Sequence, residues 1–461
     1  MSKSFDVIII GGGPAGYVCA IRCGQLGLKT ALVEKEKLGG VCVNVGCIPT
    51  KALLHSAYVA RLVQKSSKFG VTVGNVKLDF GAAIRNSRDV SEQNSKGVGF
   101  LMKKNKVTVI QGTGELQSGK VVKVGKDMYT AAKAVVIATG SSVKGIPQIG
   151  LEIDKDRVIS SDEALFLEQA PESLAIVGAG AVGSEFADIF NAFGAQVTLI
   201  EALPRILPLE DKESATTVAR SFKKRKIKLL EGAMVKSADI GKKNVTLTVE
   251  AGGKEETVEV ERVLMAAGRK TNTEGLAEAG VKIGDDGFVV TDANLQTSVP
   301  GVYCIGDVAG PPMLAHKGSR EGVFVAELIA GEKPHRIKYD NIPSVTYCHP
   351  EVASIGLNED QCKEQKLDYK VGKFPLTANG RARASDETEG FVKIIRDARY
   401  GEILGAHIVA SHASEMIHEL AVARENEYTV EEVDLAVHAH PTLSEAIAEA
   451  ALDSLSRVIH T

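Results

Sequence analysis

Phe5-Asp-Val-Ile-Ile-Ile-Gly11-Gly-Gly13-Pro14-Ala15-Gly16 is an apolar run that ends in three glycines and a proline. Pro14–Leu26 then reads as a helix and Thr30–Glu34 as a second strand, which makes a βαβ unit. Glycines at Gly11, Gly13 and Gly16 let the backbone turn tightly and bring a helix N-terminus against a pyrophosphate. Glu34, closing the second strand, stands where a carboxylate accepts a hydrogen bond from a ribose hydroxyl. The stretch therefore predicts a dinucleotide-binding fold.

The pattern returns 167 positions later, from Gly11 to Gly178. Strand Leu174–Val177 leads into Gly178-Ala-Gly180-Ala-Val182-Gly183, a helix follows over Val182–Phe193, and strand Gln196–Glu201 again ends in an acid. Two copies this far apart imply two nucleotide-binding domains rather than a solenoid. Glu201 also selects the nucleotide. A carboxylate there binds a free 2′-hydroxyl and repels a 2′-phosphate, and the nearest cation is Arg205. NAD is expected rather than NADP.

The chain has 461 residues, too many for one core, so roughly two to four domains are expected. A net charge of −3 excludes a general affinity for nucleic acid or anionic membrane. No apolar run spans a bilayer, and Met1–Asp6 leads straight into a strand, which leaves no room for a signal peptide. A cytoplasmic protein is the expectation. Between the fingerprints lie a polar helix near Asp79–Asn105 and short strands; a further β-rich stretch covers Lys236–Ala266. After Val302–Ile305 a helix is expected over Leu314–Ala330. From about Ile342 the texture changes to strands such as Phe391–Arg396 and Ile403–Val409, then helices Ser414–Glu425 and Ser444–Arg457. This block has no glycine fingerprint and reads as a separate α+β domain.

Seven cysteines, an odd number scattered over a long chain, do not make a secreted disulfide framework. Two stand close together in Gly39-Gly40-Val-Cys42-Val-Asn-Val-Gly-Cys47-Ile-Pro-Thr-Lys51. Redox work, a metal site and two buried structural thiols are the competing readings. Zinc would need two more ligands, and only His55 is near in sequence. Positions five apart on a regular helix are too distant for a disulfide, whose Cα atoms lie within ~7 Å. A bridge would require a distorted backbone at Asn44–Gly46. Cys47 precedes Pro49, a favourable first-turn residue, and a helix dipole together with Lys51 would favour a thiolate there.

These motifs resemble those of the pyridine-nucleotide disulfide oxidoreductases over essentially the whole chain. The resemblance implies an α/β architecture: two Rossmann-like dinucleotide-binding domains plus an α+β C-terminal dimerisation domain. The implied order is FAD domain 1–147, NAD domain 148–270, central domain 271–341 completing the FAD site, and interface domain 342–461. It implies that Cys42 is the interchange thiol, that Cys47 lies against the flavin, and that Lys51 pairs with Glu185 near it. From the residues alone, Lys51 and Glu185 read equally well as two solvated charges. Family-like segments add FAD contacts: Gly40, Thr139-Gly140-Ser141, Asp307 in Cys304-Ile-Gly-Asp307, and Met313-Leu314-Ala315-His316. Gly114 is assigned to FAD, and Val235 and Gly268 to NAD.

His438-Ala-His440-Pro-Thr-Leu-Ser-Glu445 supplies a proton carrier. The resemblance gives the base to His440, with Glu445 orienting its ring. His438 reads as a packed or surface histidine, and a two-His metal site is the rival for the pair. The family places His440 in the partner subunit's active site, so a homodimer is expected.

Among branches of the family, glutathione-type reductases carry a basic NADP reader and an aromatic lid; here stand Glu201 and Ala181-Val182. Mercuric reductases need a C-terminal cysteine pair, but the last cysteine here is Cys362. Pro350–Leu357 and Phe374–Ala382 look like the branch that oxidises dihydrolipoamide with NAD. That branch implies lipoyl-bearing partners in a 2-oxo-acid dehydrogenase complex or glycine cleavage system. The alternatives are another small-disulfide reductase and a flavoprotein scaffold without catalysis. Val41 and Val43 replace the commoner Thr and Leu, with small effects on packing expected.

Overall fold

The computed structural model describes residues 3–460, so Met1, Ser2 and Thr461 lie outside the described residues, including the first two positions of the leader reading. The chain forms two compact units. The first comprises 1–52, 81–144 and 268–337; the second comprises 53–80, 145–267 and 338–461.

The first unit is built on a seven-stranded sheet. Lys3–Ile10 lies at its centre, parallel to Thr30–Glu34 on one side and to Asp127–Ile137 on the other. Val7 and Ile9 face one layer of the core, Ile8 and Ile10 the other, and all are buried. That two-sided burial is why the strand reads as an unbroken apolar run. The long strand Asp127–Ile137 also accepts Val302–Cys304 in parallel. Chain from beyond position 300 thus sits in the sheet that begins the protein.

The second unit holds a five-stranded parallel sheet in the order Lys228–Glu231, Gln196–Glu201, Ser173–Val177, Arg262–Met265, Val158–Ser160. A three-stranded antiparallel sheet spans Ala233–Val260. A second five-stranded sheet, wholly antiparallel, runs Ser344–Thr346, Glu351–Gly356, Ile403–Ala410, Phe391–Asp397, Tyr369–Pro375. Helices Ala413–Glu425 and Glu445–Ser454 bury Met416, Ile417, Leu420, Ala446, Ile447 and Ala450 in the core it shares. Most expected elements are present within one to three residues at their ends; the short strand expected near Ala134–Ala138 instead runs over Asp127–Ile137. One helix absent from the sequence reading, Lys212–Lys224, begins at an Asp211 cap. No described helix is long and apolar enough to cross a membrane.

Candidate functional site

The two fingerprints fold alike, residue for residue. Gly11 and Gly178 both take left-handed φ, +108° and +101°, and a Cβ on either would strike a neighbouring carbonyl oxygen. A Cβ on Gly16 would lie 1.9 Å from Gly11 O, and one on Gly183 1.9 Å from Gly178 O. Only glycine lets the helix begin so close beneath its own turn. Gly13 and Gly180, by contrast, face open space. Each is the N-cap of its helix, and neither helix has a side-chain cap. Helices elsewhere are closed by Asp211, Asn358 and Thr429. Two uncapped helix ends, each with room beside the cap glycine, fit two pyrophosphates.

The strand-end acids have a second task that the sequence did not disclose. Glu34 Oε2 accepts the Gly12 amide at 2.7 Å and Oε1 the Glu36 amide at 2.7 Å. Glu201 accepts the Ala179 amide at 2.7 Å and the Leu203 amide at 2.9 Å. Each carboxylate pins its glycine turn, and its remaining lone pairs stay available to a ribose. Arg205 donates within its own loop to the Pro208 and Glu210 carbonyls.

The cysteine stretch is joined to the first fingerprint. Gly39 N–H donates to Gly12 O at 2.8 Å. Gly40, at φ +57°, leaves no room for a Cβ, which would lie 2.6 Å from Gly13 Cα. Helix Gly40–Val45 then stops, Gly46 is non-helical at φ −142° and ψ −117°, and helix Cys47–Lys65 begins. This break is the distortion a Cys42–Cys47 bridge requires. The carbonyls it releases are held by the helix Phe80–Lys104: Ser91 Oγ donates to Val43 O at 2.7 Å and Arg88 to Asn44 O at 2.5 Å. Neither partner was foreseen, because a lone Ser and Arg on a polar helix carry no signal.

Cys42 and Cys47 are unbridged thiols in hydrogen-bonding contact. Sharing its proton with Cys47 pushes the Cys42 thiol up strongly, with burial adding to this and Lys51 opposing it. Cys47 stands at the N-terminus of a 19-residue helix, a position whose dipole favours a thiolate.

The remaining FAD candidates gather in the same unit. Ala15 packs against Gly306, Gly318 and Gly322, where any larger residue would clash. This close crossing draws helix Ala315–Ala330, itself without a side-chain cap, onto helix Pro14–Gln25. Met313–His316 form its entry. Asp307 accepts the Ser141 hydroxyl at 2.5 Å, while Arg269 donates to Ser141 Oγ and O at 2.6 and 2.7 Å. Thr139 and Asn272 exchange two hydrogen bonds. Gly140 and Gly268 have positive φ and open space beside them, as a close ligand requires. Gly114 differs: a Cβ there would lie 3.0 Å from the Ile10 side chain and 3.1 Å from that of Val33, so the core packs closely on it. Val235 likewise faces inward, packed with Ala175, Val177 and Ile200, while Val182 beside the second fingerprint is exposed.

Lys317 and Glu321 also escaped the sequence reading, although a Lys–Glu pair four apart in an apolar helix was the available signal. Both are buried; Lys317 Nζ donates to Gly306 O and Gly310 O at 2.9 Å, and Glu321 accepts the Gly306 amide at 2.7 Å. Together they fix the turn carrying Asp307. Lys317→Met leaves the Glu321 carboxylate buried without its lysine, at a cost of about 3–5 kcal/mol. The expected result is a lower melting temperature and loss of flavin on gel filtration.

In the second unit, Glu185 is buried and accepts the Tyr347 amide at 3.0 Å. One turn on, fully buried Asp188 accepts from Arg61 at 2.7 Å, from Arg225, and from the His349 amide at 3.2 Å. Lys51 belongs to the first unit. His440 Nδ1 bonds Glu445 Oε1 at 2.8 Å, and Glu445 Oε2 accepts the Thr442 amide at 2.7 Å. Burial raises the Glu445 carboxyl, but the Thr442 amide and the His440 imidazole outweigh it and hold it below the usual range. A depressed carboxyl stays ionised through neutrality and loses this anchor only as pH falls through its lowered value. The carboxylate fixes Nδ1 as the donor and leaves Nε2 outward on a side chain that is 79 % exposed. His438 turns to Glu419 instead, so the two histidines do not converge on a metal.

Residues 5–322 match the pyridine nucleotide-disulphide oxidoreductase family, and residues 342–451 match its dimerisation domain. The chain is 43 % identical to a dihydrolipoyl dehydrogenase of Rhizobium etli over the full length of both. It is 42 % identical to the mitochondrial dihydrolipoyl dehydrogenase 1 of Arabidopsis thaliana, covering all of this chain and 92 % of that one. In structure it is similar to LpdA from Mycobacterium tuberculosis, with TM-score 0.89, 27 % identity, and coverage of 97 % and 99 % of the two chains. The chain belongs to the pyridine nucleotide-disulphide oxidoreductases.

Proposed function

We propose that the chain is an FAD- and NAD-dependent dihydrolipoyl dehydrogenase, oxidising a dihydrolipoyl dithiol to its cyclic disulfide while NAD+ becomes NADH and one proton is released. The observation that carries this reading is the Cys42–Cys47 pair, set across a broken helix and bonded through Gly39 and Gly40 to the first fingerprint. Gly11, Gly13–Gly16, Glu34, Gly40, Lys51, Gly114, Thr139–Ser141, Asp307 and Met313–His316 hold FAD. Gly178, Gly180, Val182, Gly183, Glu201, Val235 and Gly268 hold NAD. When bound, FAD supplies a two-electron relay between the dithiol and the nicotinamide.

The protein's own groups do the thiol chemistry. In the oxidised enzyme, Cys42 and Cys47 form a disulfide. His440 Nε2 takes a substrate thiol proton, and the thiolate attacks Cys42 Sγ, releasing Cys47 as thiolate. The second substrate sulfur then attacks the first, closing the lipoyl ring and freeing Cys42. Lys51 and the helix N-terminus stabilise the Cys47 thiolate. Glu185, held by the Tyr347 amide, is the partner proposed for Lys51. His440 serves the cysteine pair of the other subunit, so the working unit is a homodimer. Its partners are lipoyl-bearing proteins, and its compartment is the cytoplasm. The functional division remains 1–147, 148–270, 271–341 and 342–461.

The test is a paired assay. Dihydrolipoamide with NAD+ should produce NADH, while oxidised glutathione with NADPH should give little turnover. Turnover chiefly in the second assay would keep the cysteine pair but overturn both the substrate and the reading of Glu201.

A further inference from the structure

The segment after helix Val430–Leu435 carries His440, and it is outward-facing: Leu435, Val437 and His440 are all exposed. One side chain in it turns inward. His438 is 9 % exposed, and both ring nitrogens meet acceptors: Nε2 lies 2.7 Å from Glu419 Oε1 and Nδ1 lies 2.8 Å from Ala436 O. A neutral imidazole has one N–H and one lone pair, so it can satisfy only one of these contacts. The imidazolium satisfies both.

We infer that His438 is a positioning residue for the reaction: as an imidazolium it clamps the His440 segment to helix Ala413–Glu425, and turnover depends on that clamp. The inference rests on the role of His440 proposed above. The groups facing the ring agree with a cation. Glu419 comes from helix Ala413–Glu425, the Ala436 carbonyl from the segment itself, and Glu445, at the start of the next helix, feels the charge of His438. A charge-assisted bond to Glu419 is stronger than a neutral one. Loss of either contact loosens the segment, and His440 loses its aim at the substrate sulfur.

Two variants of the flavin-loaded dimer test this, with kcat and KM for dihydrolipoamide measured across pH. His438→Gln provides one anchor in place of two; kcat should fall roughly 10- to 100-fold with KM little changed. Glu419→Gln replaces the carboxylate with an amide that can turn to serve a neutral ring. Its kcat should drop severalfold, again with KM little changed. Wild-type kcat and pH profile in either folded variant would overturn the clamp, whereas absence of dihydrolipoamide turnover in the wild type would overturn the function instead. The ring state is read independently with 15N-labelled histidine: two protonated ring nitrogens at neutral pH support the clamp, and a neutral tautomer refutes it.

Discussion

Cys47→Ser is expected to give a yellow protein that binds both nucleotides and has lost dihydrolipoamide oxidation by ~10^4-fold or more, the scale seen when a member of a nucleophilic unit is removed. Serine is nearly isosteric, and Cys47 is exposed at a helix N-terminus rather than buried in the core, so folding should not suffer. Ser cannot leave as a thiolate or close a disulfide with Cys42, so no substrate sulfur can be exchanged. The measurement is NADH formation with dihydrolipoamide, alongside direct reduction of the flavin by NADH, which needs neither cysteine. Loss of the first with retention of the second is the expected pattern. Retained dihydrolipoamide turnover would remove the cysteine pair from the mechanism. Loss of flavin as well would point to a structural role.

His440→Gln is the second large effect. Removing a positioned general base costs about 10^2–10^4-fold, and Gln can keep a hydrogen bond to Glu445 without carrying a proton. The loss should be greatest in the half-reaction that reduces the enzyme with dihydrolipoamide. Hybrid dimers identify which cysteine pair each imidazole serves. If His440 acts across the dimer, a hybrid of Cys47→Ser and His440→Gln subunits contains one wholly intact site and one with both defects. Each hybrid dimer should then have about half of a normal dimer's activity, or about a quarter overall in an equal, randomly reassorted mixture. If His440 acts within its own chain, every site in the hybrid carries one defect and mixing restores nothing.

Both experiments start from residues legible in the sequence, and the reason they were legible is physical. Glycines at Gly11, Gly13 and Gly16 are demanded by backbone geometry over a few adjacent residues, so their spacing survives in the linear chain. The same holds for Gly178, Gly180 and Gly183, for the apolar strands before them, and for the acids Glu34 and Glu201 at a fixed distance beyond. The Cys42–Gly46–Cys47 break is equally local. Even the dyad is compressed into His440–Glu445, where the first turn of one helix brings the carboxylate back to the ring.

What the linear chain does not display is everything held from a distance. Glu34 gives no sign of bonding the Gly12 amide, nor Gly40 of resting on Gly13. Ser91 and Arg88 look like polar residues on a surface helix until they reach the carbonyls freed at the break. Gly114 and Val235 read as cofactor contacts, and nothing in the linear chain shows that each also lies against core side chains. His438 reads as an ordinary packed histidine, because its acceptor Glu419 lies 19 positions away. Sequence by itself determined the two nucleotide folds, the redox pair and the dyad, since each is set by the conformations of neighbouring residues. Tertiary structure alone decided what holds them in place, since those bonds form only when the sheets and helices bring separate stretches of chain together.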